Sequence, residues 1–497
     1  MTPDHFDVLI VGAGLSGIGA AVHLRRDCPD RSLAILEGRD AIGGTWDLFR
    51  YPGVRSDSDM YTLGYSFKPW QKAKAIADGP SIRNYITETA REHDIGRHIR
   101  FGHTVKTADW DSASARWTVT TAQNDGSAGR FTCNFLYMCS GYYSYSQGHK
   151  PEWPGEADFA GHVIQPQFWP ENLDYAGKTV VVIGSGATAV TLVPAMAASA
   201  AHVTMLQRSP TYMVSRPGTD AIADVLRKVL PAQMAYDLIR WKNVTLGMWF
   251  YGQTRKNPAK VRAALLGRVQ KLLPKGYDVA RHFTPKYNPW DQRLCLVPDA
   301  DLFDAIRTGK AAIVTDTIDH FEARGIRLAS GELLKADVVV AATGLKLEAL
   351  GGMAISVDGV PRRIADTIAY KGMMFSGIPN LAVSFGYINA SWTLRSDLIA
   401  TYVGRLLNHM KANGHAVATP TPGPDVQPER LAMDLSSGYV QRGADALPRS
   451  GNRAPWMVTA NYKLDRAELR DGALDADMVF GAADVGTSQA DLAEAAE

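Results

Sequence analysis

Residues 7–24 have the sequence DVLIVGAGLSGIGAAVHL, and this stretch decides the fold. A short β-branched run meets a glycine loop and then an alanine-rich apolar run, the pattern of a strand, a tight turn and a helix. Gly12 permits the turn, Gly14 lets the backbone approach a pyrophosphate, and Gly17 lets helix and strand pack closely. A second predicted strand ends in Glu37, 20 residues after Gly17, where an acid binds ribose hydroxyls. The segment therefore predicts an adenine dinucleotide site in a βαβ unit.

The same pattern recurs in residues 178–190, which have the sequence KTVVVIGSGATAV. Alanine stands in the third glycine position, a substitution that this fingerprint allows. The next predicted strand, residues 202–207, ends in Arg208 and Ser209 instead of an acid. A guanidinium and a hydroxyl favour the 2′-phosphate of NADPH, whereas the alternative is an arginine on a solvated turn.

Two such sites, the first acidic and the second basic, indicate a flavoprotein in which NADPH delivers hydride to FAD. Flavin disulfide reductases share this plan, but they need two redox-active cysteines close in sequence. The four cysteines are widely spread, at Cys28, Cys133, Cys139 and Cys295, so that class is set aside. Their spread also favours a reducing, cytoplasmic compartment.

Length and composition restrict the remaining classes of protein. A chain of 497 residues, 46% apolar and 21% charged, is globular and long enough for about three domains. The net charge of +2 gives no reason to expect nucleic acid as a partner. Residues 179–207 carry no Asp, Glu, Lys or Arg, but their glycines and Pro194 favour strand, turn, helix and strand over a membrane span. No histidine or cysteine has metal-ligand spacing, so no metal is predicted.

The predicted architecture is α/β, with two Rossmann-like dinucleotide-binding domains and a helical insertion. Residues 135–141 and 336–344 each combine a buried strand with a glycine turn, and we interpret both as crossings between the domains. The predicted segments are 1–145 (FAD-binding, first part), 146–215 (NADPH-binding, first part), 216–324 (helical insertion and arginine segment), 325–370 (NADPH-binding, second part), 371–485 (FAD-binding, second part) and 486–497 (disordered tail).

Two longer motifs carry a family resemblance. Gly43-Gly44-Thr45-Trp46, Tyr51-Pro52-Gly53 and Asp57 follow the first glycine loop, and a second motif extends from Phe159 to Pro170. This arrangement resembles the fingerprint of the Baeyer-Villiger monooxygenases, which are class B flavoprotein monooxygenases. Gln165 departs from the pattern, because the family has histidine there.

The resemblance covers the chain from about Phe6 to Tyr462, and residues 44–53, 288–298 and 369–374 are similar to the ethionamide-activating subgroup. It implies an NADPH- and O2-dependent enzyme that converts ketones to esters or lactones through a C4a-peroxyflavin. It also implies oxygenation of sulfides or thioamides. Two alternatives stay open: an N- or S-oxygenating flavin monooxygenase without ketone activity, and an uncoupled flavin NADPH oxidase or sensor. Oligomeric state is not predicted.

The resemblance also implies the binding residues. For FAD they are Gly12, Gly14, Ser16, Gly17, Glu37, Thr45, Trp46, Asp47, Leu48, Asp57 and Val105, with Arg55 and Ser56 beside Asp57 between flavin and nicotinamide. For NADPH they are Gly184, Ser185, Gly186, Ala187, Thr188, Ala189, Val190, Arg208 and Ser209. Many relatives have a lysine at the position of Gln292, so Arg208 is expected to carry more of the NADPH selectivity.

By the same resemblance, Arg293 is the catalytic arginine and Asp57 its partner. An arginine keeps its proton and offers a rigid fork of donors to a developing oxyanion. We expect Asp57 to orient that fork; the alternative is a structural ion pair. At Gln165 an amide can keep a hydrogen bond but cannot take up a proton, so we expect an active enzyme in which Gln165 has no proton-transfer role.

The predicted insertion, about residues 216–285, has helical periodicity and is basic. Residues 225–281 contain 12 Lys or Arg against two acids, Asp237 and Asp278, a net charge of +10. Interleaved aromatic residues leave two interpretations open: a lid over the substrate channel, or a surface in peripheral contact with a membrane.

Overall fold

The computed structural model describes residues 3–482. Its strands are β1 (Asp4–Val11), β2 (Leu33–Leu36), β3 (Ile99–Arg100), β4 (His103–Asp111), β5 (Arg116–Gln123), β6 (Ala128–Met138), β7 (Tyr143–Gly148), β8 (His162–Ile164), β9 (Thr179–Ile183), β10 (His202–Gln207), β11 (Met213–Arg216), β12 (Cys295–Pro298), β13 (Ala311–Thr315), β14 (Ile318–Glu322), β15 (Gly325–Leu328), β16 (Leu333–Lys335), β17 (Val338–Ala341), β18 (Leu345–Leu347), β19 (Ala354–Val357), β20 (Val360–Arg362), β21 (Ala369–Tyr370), β22 (Met374–Phe375), β23 (Leu381–Val383), β24 (Val417–Pro420), β25 (Pro428–Leu431), β26 (Arg449–Gly451) and β27 (Met478–Gly481).

The same residues contain helices α1 (Leu15–Asp27), α2 (Thr45–Leu48), α3 (Met60–Leu63), α4 (Gly79–Glu92), α5 (Ala187–Ala197), α6 (Ala221–Val229), α7 (Ala232–Lys256), α8 (Pro258–Leu272), α9 (Val279–Phe283), α10 (Asp301–Arg307), α11 (Trp392–Ala412), α12 (Gly438–Arg442) and α13 (Tyr462–Arg466). The predicted tail, 486–497, lies outside the described residues.

The first βαβ unit belongs to a nine-stranded sheet with the order β20-β19-β4-β5-β6-β1-β2-β3, in which β23 also pairs with β6. β1 runs parallel to β2 and to β6, with Val8 opposite Leu33 and Phe135. All of β2 is buried, as is the C-terminal half of β1, because helices and the rest of the sheet cover both faces. β23 and α11, from the far end of the chain, pack onto β6 and α1.

The second βαβ unit forms a five-stranded parallel sheet with the order β13-β10-β9-β17-β8. β9, α5 and β10 divide residues 179–207 into strand, helix and strand, as their sequence predicts. Within residues 3–482 no helix is both long and apolar enough to span a bilayer. The prediction of an α/β fold with two Rossmann-like units and a helical insertion is confirmed, the insertion being α6 to α9.

Each glycine loop lies against a returning strand of its own sheet. Gly12 has φ +104°, and a Cβ there would come 2.6 Å from the carbonyl oxygen of Cys139, just beyond β6. Gly184 has φ +134°, and a Cβ there would overlap the carbonyl oxygen of Ala342, just beyond β17. Both positions therefore require glycine, and each predicted crossing adjoins a dinucleotide loop.

Two of the predicted segments contain strands that join a sheet formed mainly by other segments. β19 and β20 fall within residues 325–370, which we assigned to the NADPH-binding domain, yet β19 extends the larger sheet by pairing with β4. Similarly, β13 falls within the predicted insertion segment and pairs with β10 of the smaller sheet. The cause is that sheets are completed by residues distant in sequence, which local patterns do not place.

Candidate active-site cavity

A cavity of about 760 Å³ opens at the carboxyl end of β1 and is walled by the first glycine loop. It brings together many of the residues predicted for FAD and catalysis: Gly12, Gly14, Ser16, Glu37, Thr45, Trp46, Ser56, Asp57, Val105 and Arg293. Ligands of doubly wound sheets bind at this edge.

Four of the predicted flavin-side residues lie outside the cavity lining: Gly17, Asp47, Leu48 and Arg55. Gly17 lies behind the loop, where a Cβ would overlap the carbonyl oxygen of Gly12. Asp47 is buried in an ion pair with Arg39, and Arg55 pairs with Asp301 at 2.5 Å. Gly17 therefore packs against the loop itself, whereas Asp47 and Arg55 are engaged in ion pairs outside the cavity.

Glu37 is held in place by the backbone. Its side chain is buried, and its two oxygens accept hydrogen bonds from the amides of Ala13 at 2.6 Å and Arg39 at 2.9 Å. Burial raises the pKa of Glu37 above its usual value, while those amides lower it. The carboxylate is therefore fixed at the cavity wall with lone pairs left for ribose hydroxyls. The glycine loop, this carboxylate and the cavity size fit an adenine dinucleotide such as FAD.

Arg293 and Asp57 form an ion pair in the same cavity. Arg293 Nη2 lies 3.0 Å from Asp57 Oδ2, and each side chain is 37% exposed, towards the cavity that both line. The charge of Asp57 raises the pKa of Arg293, so the guanidinium stays charged. Tyr142 and Tyr439 also line the cavity near Arg293, and burial raises the pKa of both phenols. The pair is a fixed cation with a positioned counter-ion at an apolar, aromatic wall.

The cavity contains aromatic residues that our sequence analysis missed. Tyr143 Oη lies 2.6 Å from Thr45 Oγ1, and Trp392 Nε1 donates to Ser16 Oγ at 2.8 Å. The signal available for Tyr142 and Tyr143 was their position directly after the predicted crossing at Gly141. Trp392 has no such signal, because α11 reaches the loop only through the tertiary fold.

A second cavity, of about 500 Å³, adjoins the first one. The two share a wall that includes Tyr142, Phe385, Tyr387 and Met433. The second cavity is mostly apolar, and α7 of the insertion lines it through Met248, Tyr251 and Gly252. An apolar small molecule in this cavity would lie beside the shared wall.

The second glycine loop starts α5, with Gly184, Ser185 and Gly186 before the helix and Ala187, Thr188, Ala189 and Val190 in its first turn. Ser185 Oγ donates to the carbonyl oxygen of Ser209 at 3.1 Å, which ties the loop to the strand end. Arg208 is exposed there. Arg442 of α12 is a neighbouring cation. Burial lowers the pKa of Arg442 most, and the positive charge of Arg208 lowers it further. Two arginines from distant segments thus bring positive charge to the end of β10.

The surroundings of Gln165 and Cys295 help to define what these two side chains can do. Gln165 directly follows β8, and its side chain packs against Gly148, the last residue of β7. A Cβ added at Gly148 would lie 2.7 Å from Gln165 Oε1. Burial raises the pKa of the Cys295 thiol to about 12, which argues against a nucleophilic role. Within residues 3–482 no group of three or more His, Cys, Asp or Glu side chains is placed to hold a metal ion.

Two family models match parts of this chain. Residues 66–241 match the family model "Flavin-binding monooxygenase-like", and residues 10–77 match "NAD(P)-binding Rossmann-like domain". The chain is 55% identical to the FAD-containing monooxygenase EthA of Mycobacterium tuberculosis, over 95% of this chain and 96% of that protein. It is 49% identical to the probable FAD-binding monooxygenase AlmA of an Acinetobacter species, over 94% of each.

Among solved structures, NADP-bound oxidized steroid monooxygenase has a TM-score of 0.74 at 22% identity, over 96% of this chain and 100% of that one. Cyclohexanone monooxygenase with bound ε-caprolactone has a TM-score of 0.76 at 20% identity, again over 96% and 100%. At these identities the likeness shows the fold.

Proposed function

The chain belongs to the FAD-containing monooxygenases, and from this premise we propose that it is a Baeyer-Villiger monooxygenase. FAD is its cofactor, and NADPH and O2 are its cosubstrates. One oxygen atom is inserted between the carbonyl carbon of a ketone and its neighbour, giving an ester or lactone, and the other leaves as water. Sulfides or thioamides are oxygenated at sulfur in the same cavity.

The observation that carries this proposal is the Arg293–Asp57 pair, which lies in the cavity beside the first glycine loop. FAD, when bound, supplies the chemistry that accepts hydride from NADPH and activates O2. Arg293 donates hydrogen bonds to the oxyanion that develops on the substrate carbonyl, and Asp57 holds the guanidinium in position. The apolar wall of Tyr142, Phe385 and Met433 excludes water from the reacting atoms.

The test is product analysis on the FAD-loaded enzyme with NADPH, O2 and a panel of small ketones, sulfides and thioamides. We expect esters or lactones from ketones, identified by mass, in a fixed ratio to the NADPH consumed. Sulfoxides without any ester would favour the N- or S-oxygenating alternative. Hydrogen peroxide alone, indifferent to every compound, would favour the uncoupled oxidase or sensor.

Selectivity for NADPH over NADH is a separate prediction. Arg208→Ala removes an exposed guanidinium from the end of β10, so we expect KM for NADPH to rise about 10- to 100-fold. KM for NADH should change little, since NADH has no 2′-phosphate. Arg442→Ala should give a smaller rise in the same direction. Steady-state kinetics with both nucleotides would refute the assignment if neither variant changed the NADPH to NADH preference.

We propose that the basic insertion is both a lid over the substrate channel and a surface in peripheral contact with a membrane. Its helix α7 acts as a lid, which is supported by the contribution of Met248, Tyr251 and Gly252 to the second cavity. The net charge of +10 carried by its residues 225–281 supports peripheral contact with a membrane surface. A cytoplasmic location is supported by the four cysteines, which are all free thiols and buried.

A further inference from the structure

Helix α7 carries an exposed apolar stripe that the sequence alone did not place. Met234, Leu238, Trp241 and Trp249 are 56%, 42%, 64% and 62% exposed, at intervals of four, three and eight residues. These intervals put the four side chains on one face of a helix. The opposite face is buried through Ala235, Tyr236, Ile239 and Arg240, so the stripe is not part of the core.

Helix α6 packs against α7 and carries a stripe of the same kind. Ile222, Val225 and Val229 are 56%, 60% and 68% exposed, at intervals of three and four residues, whereas Ala223 is buried. Scattered exposed apolar residues need no explanation, but these seven form two stripes on helices that pack against each other, and we treat them as one apolar surface. Leu246 of α7 is also exposed, but it lies off the stripe. We call these seven residues the insertion face.

The insertion face adjoins a strongly basic helix. α8 packs against α7 and presents Lys260, Arg268 and Lys271 to solvent. None of these three makes an ion pair with any other side chain in residues 3–482. Unpaired cations beside an apolar surface with two exposed tryptophans are the features of a helix pair that lies in a lipid interface.

We propose that the insertion face docks on an anionic lipid bilayer, with α6 and α7 lying in the plane of the interface. A second copy of this chain is the other possible occupant of an apolar face. In a twofold interface each surface meets itself, so the exposed cations Lys260, Arg268 and Lys271 would face an equal set of cations. A surface of anionic headgroups instead complements that charge.

The docked orientation also bears on the second cavity. Met248 and Gly252 line that cavity from α7, and Trp249 between them in sequence is 62% exposed. Docking would place this wall of the cavity next to lipid, so an apolar substrate could enter from the bilayer. This last step rests on the proposed oxygenation of a small apolar substrate, whereas lipid binding itself does not.

The test is co-sedimentation of the FAD-loaded full chain with sucrose-loaded vesicles. We expect binding to equimolar phosphatidylglycerol and phosphatidylcholine, little binding to phosphatidylcholine alone, and release by added salt. The double variant Trp241→Glu/Trp249→Glu should bind at least about ten-fold more weakly. Lys260→Gln/Lys271→Gln should weaken binding about 25-fold, because each cation near the surface contributes a factor of roughly five and the two factors multiply.

Val360→Glu is the matched control, because Val360 is 53% exposed on β20, away from the insertion. It should bind vesicles as the wild type does, and all variants should keep FAD and the wild-type melting temperature. The proposal is overturned if the wild type binds neither vesicle, or if Trp241→Glu/Trp249→Glu binds as tightly as wild type. It is also overturned if sedimentation velocity shows a dimer that this variant dissociates while vesicle binding is unchanged. None of these readouts depends on oxygenation, so they stay informative if the proposed function fails.

Discussion

Replacing Arg293 by alanine is expected to lower kcat for ester formation from a ketone by about 10²- to 10³-fold. The reason is that Arg293, 3.0 Å from Asp57, lines the cavity and can donate two hydrogen bonds to a developing oxyanion. Loss of such a donor costs about 3 to 4 kcal/mol in the transition state. Ester formation and NADPH consumption would be measured together, and the NADPH consumed per ester formed should rise.

Arg293→Lys is the matched variant. It keeps the charge but loses the planar fork, so we expect a partial loss of ester formation that alanine exceeds. Asp57→Asn should also reduce the rate, because it leaves Arg293 without its positioning carboxylate. All three proteins should retain FAD in its absorbance spectrum and melt as the wild type does. Ester formation by Arg293→Ala at more than a tenth of the wild-type rate would exclude a catalytic role and favour a structural ion pair.

Much of the fold follows from local sequence signals. The two glycine loops sit between short buried strands and apolar helices, and at Gly12 and Gly184 the backbone conformation and the close approach of a neighbouring carbonyl demand glycine. The periodicity of the insertion likewise predicts helices. Such signals are contained within a few consecutive residues, so a single sequence reveals them.

The cavity wall shows what a single sequence does not reveal. Trp392 and Tyr439 reach the cavity from segments more than 300 residues after the first glycine loop, and no local pattern marks them. The extension of the larger sheet by β19 has the same character. The charge count of the insertion also overstates the charge at its surface, because Arg240 is included in the total but is buried.

Arg240 joins the insertion to the flavin-side unit. It is 8% exposed, and its Nη1 donates to the carbonyl oxygens of Tyr61 at 3.0 Å and Gly64 at 2.8 Å. Its Nη2 lies 3.3 Å from Asp397 Oδ2 on α11, and that carboxylate also accepts from the amide of Ser66 at 2.9 Å. With a third donation to the carbonyl oxygen of Thr62 at 3.3 Å, this one side chain of α7 serves three backbone carbonyls and a buried carboxylate.

The pKa of Asp397 gives this network a pH dependence. Burial alone would raise that pKa, but hydrogen bonding to His23 and the charge of Arg240 bring it below the usual value. A carboxylate with a lowered pKa stabilises the fold above its unfolded-state pKa and loses that contribution as pH falls through the folded value. The wild type should therefore lose stability more steeply than Asp397→Asn as the pH falls below about 4.

Replacing Arg240 by methionine is expected to destabilise the protein by about 3 to 5 kcal/mol, because the buried Asp397 carboxylate loses its guanidinium partner and three buried carbonyls lose their donor. The midpoint of urea denaturation would measure the loss, with Arg268→Met, an exposed arginine of α8, as the control that should change stability by less than about 0.5 kcal/mol. Adding Asp397→Asn to Arg240→Met should recover part of the loss, since the uncompensated charge is then removed. Equal destabilisation by the two arginine variants, or strict additivity of Arg240→Met and Asp397→Asn, would mean that the buried ion pair does not hold the insertion to the rest of the fold.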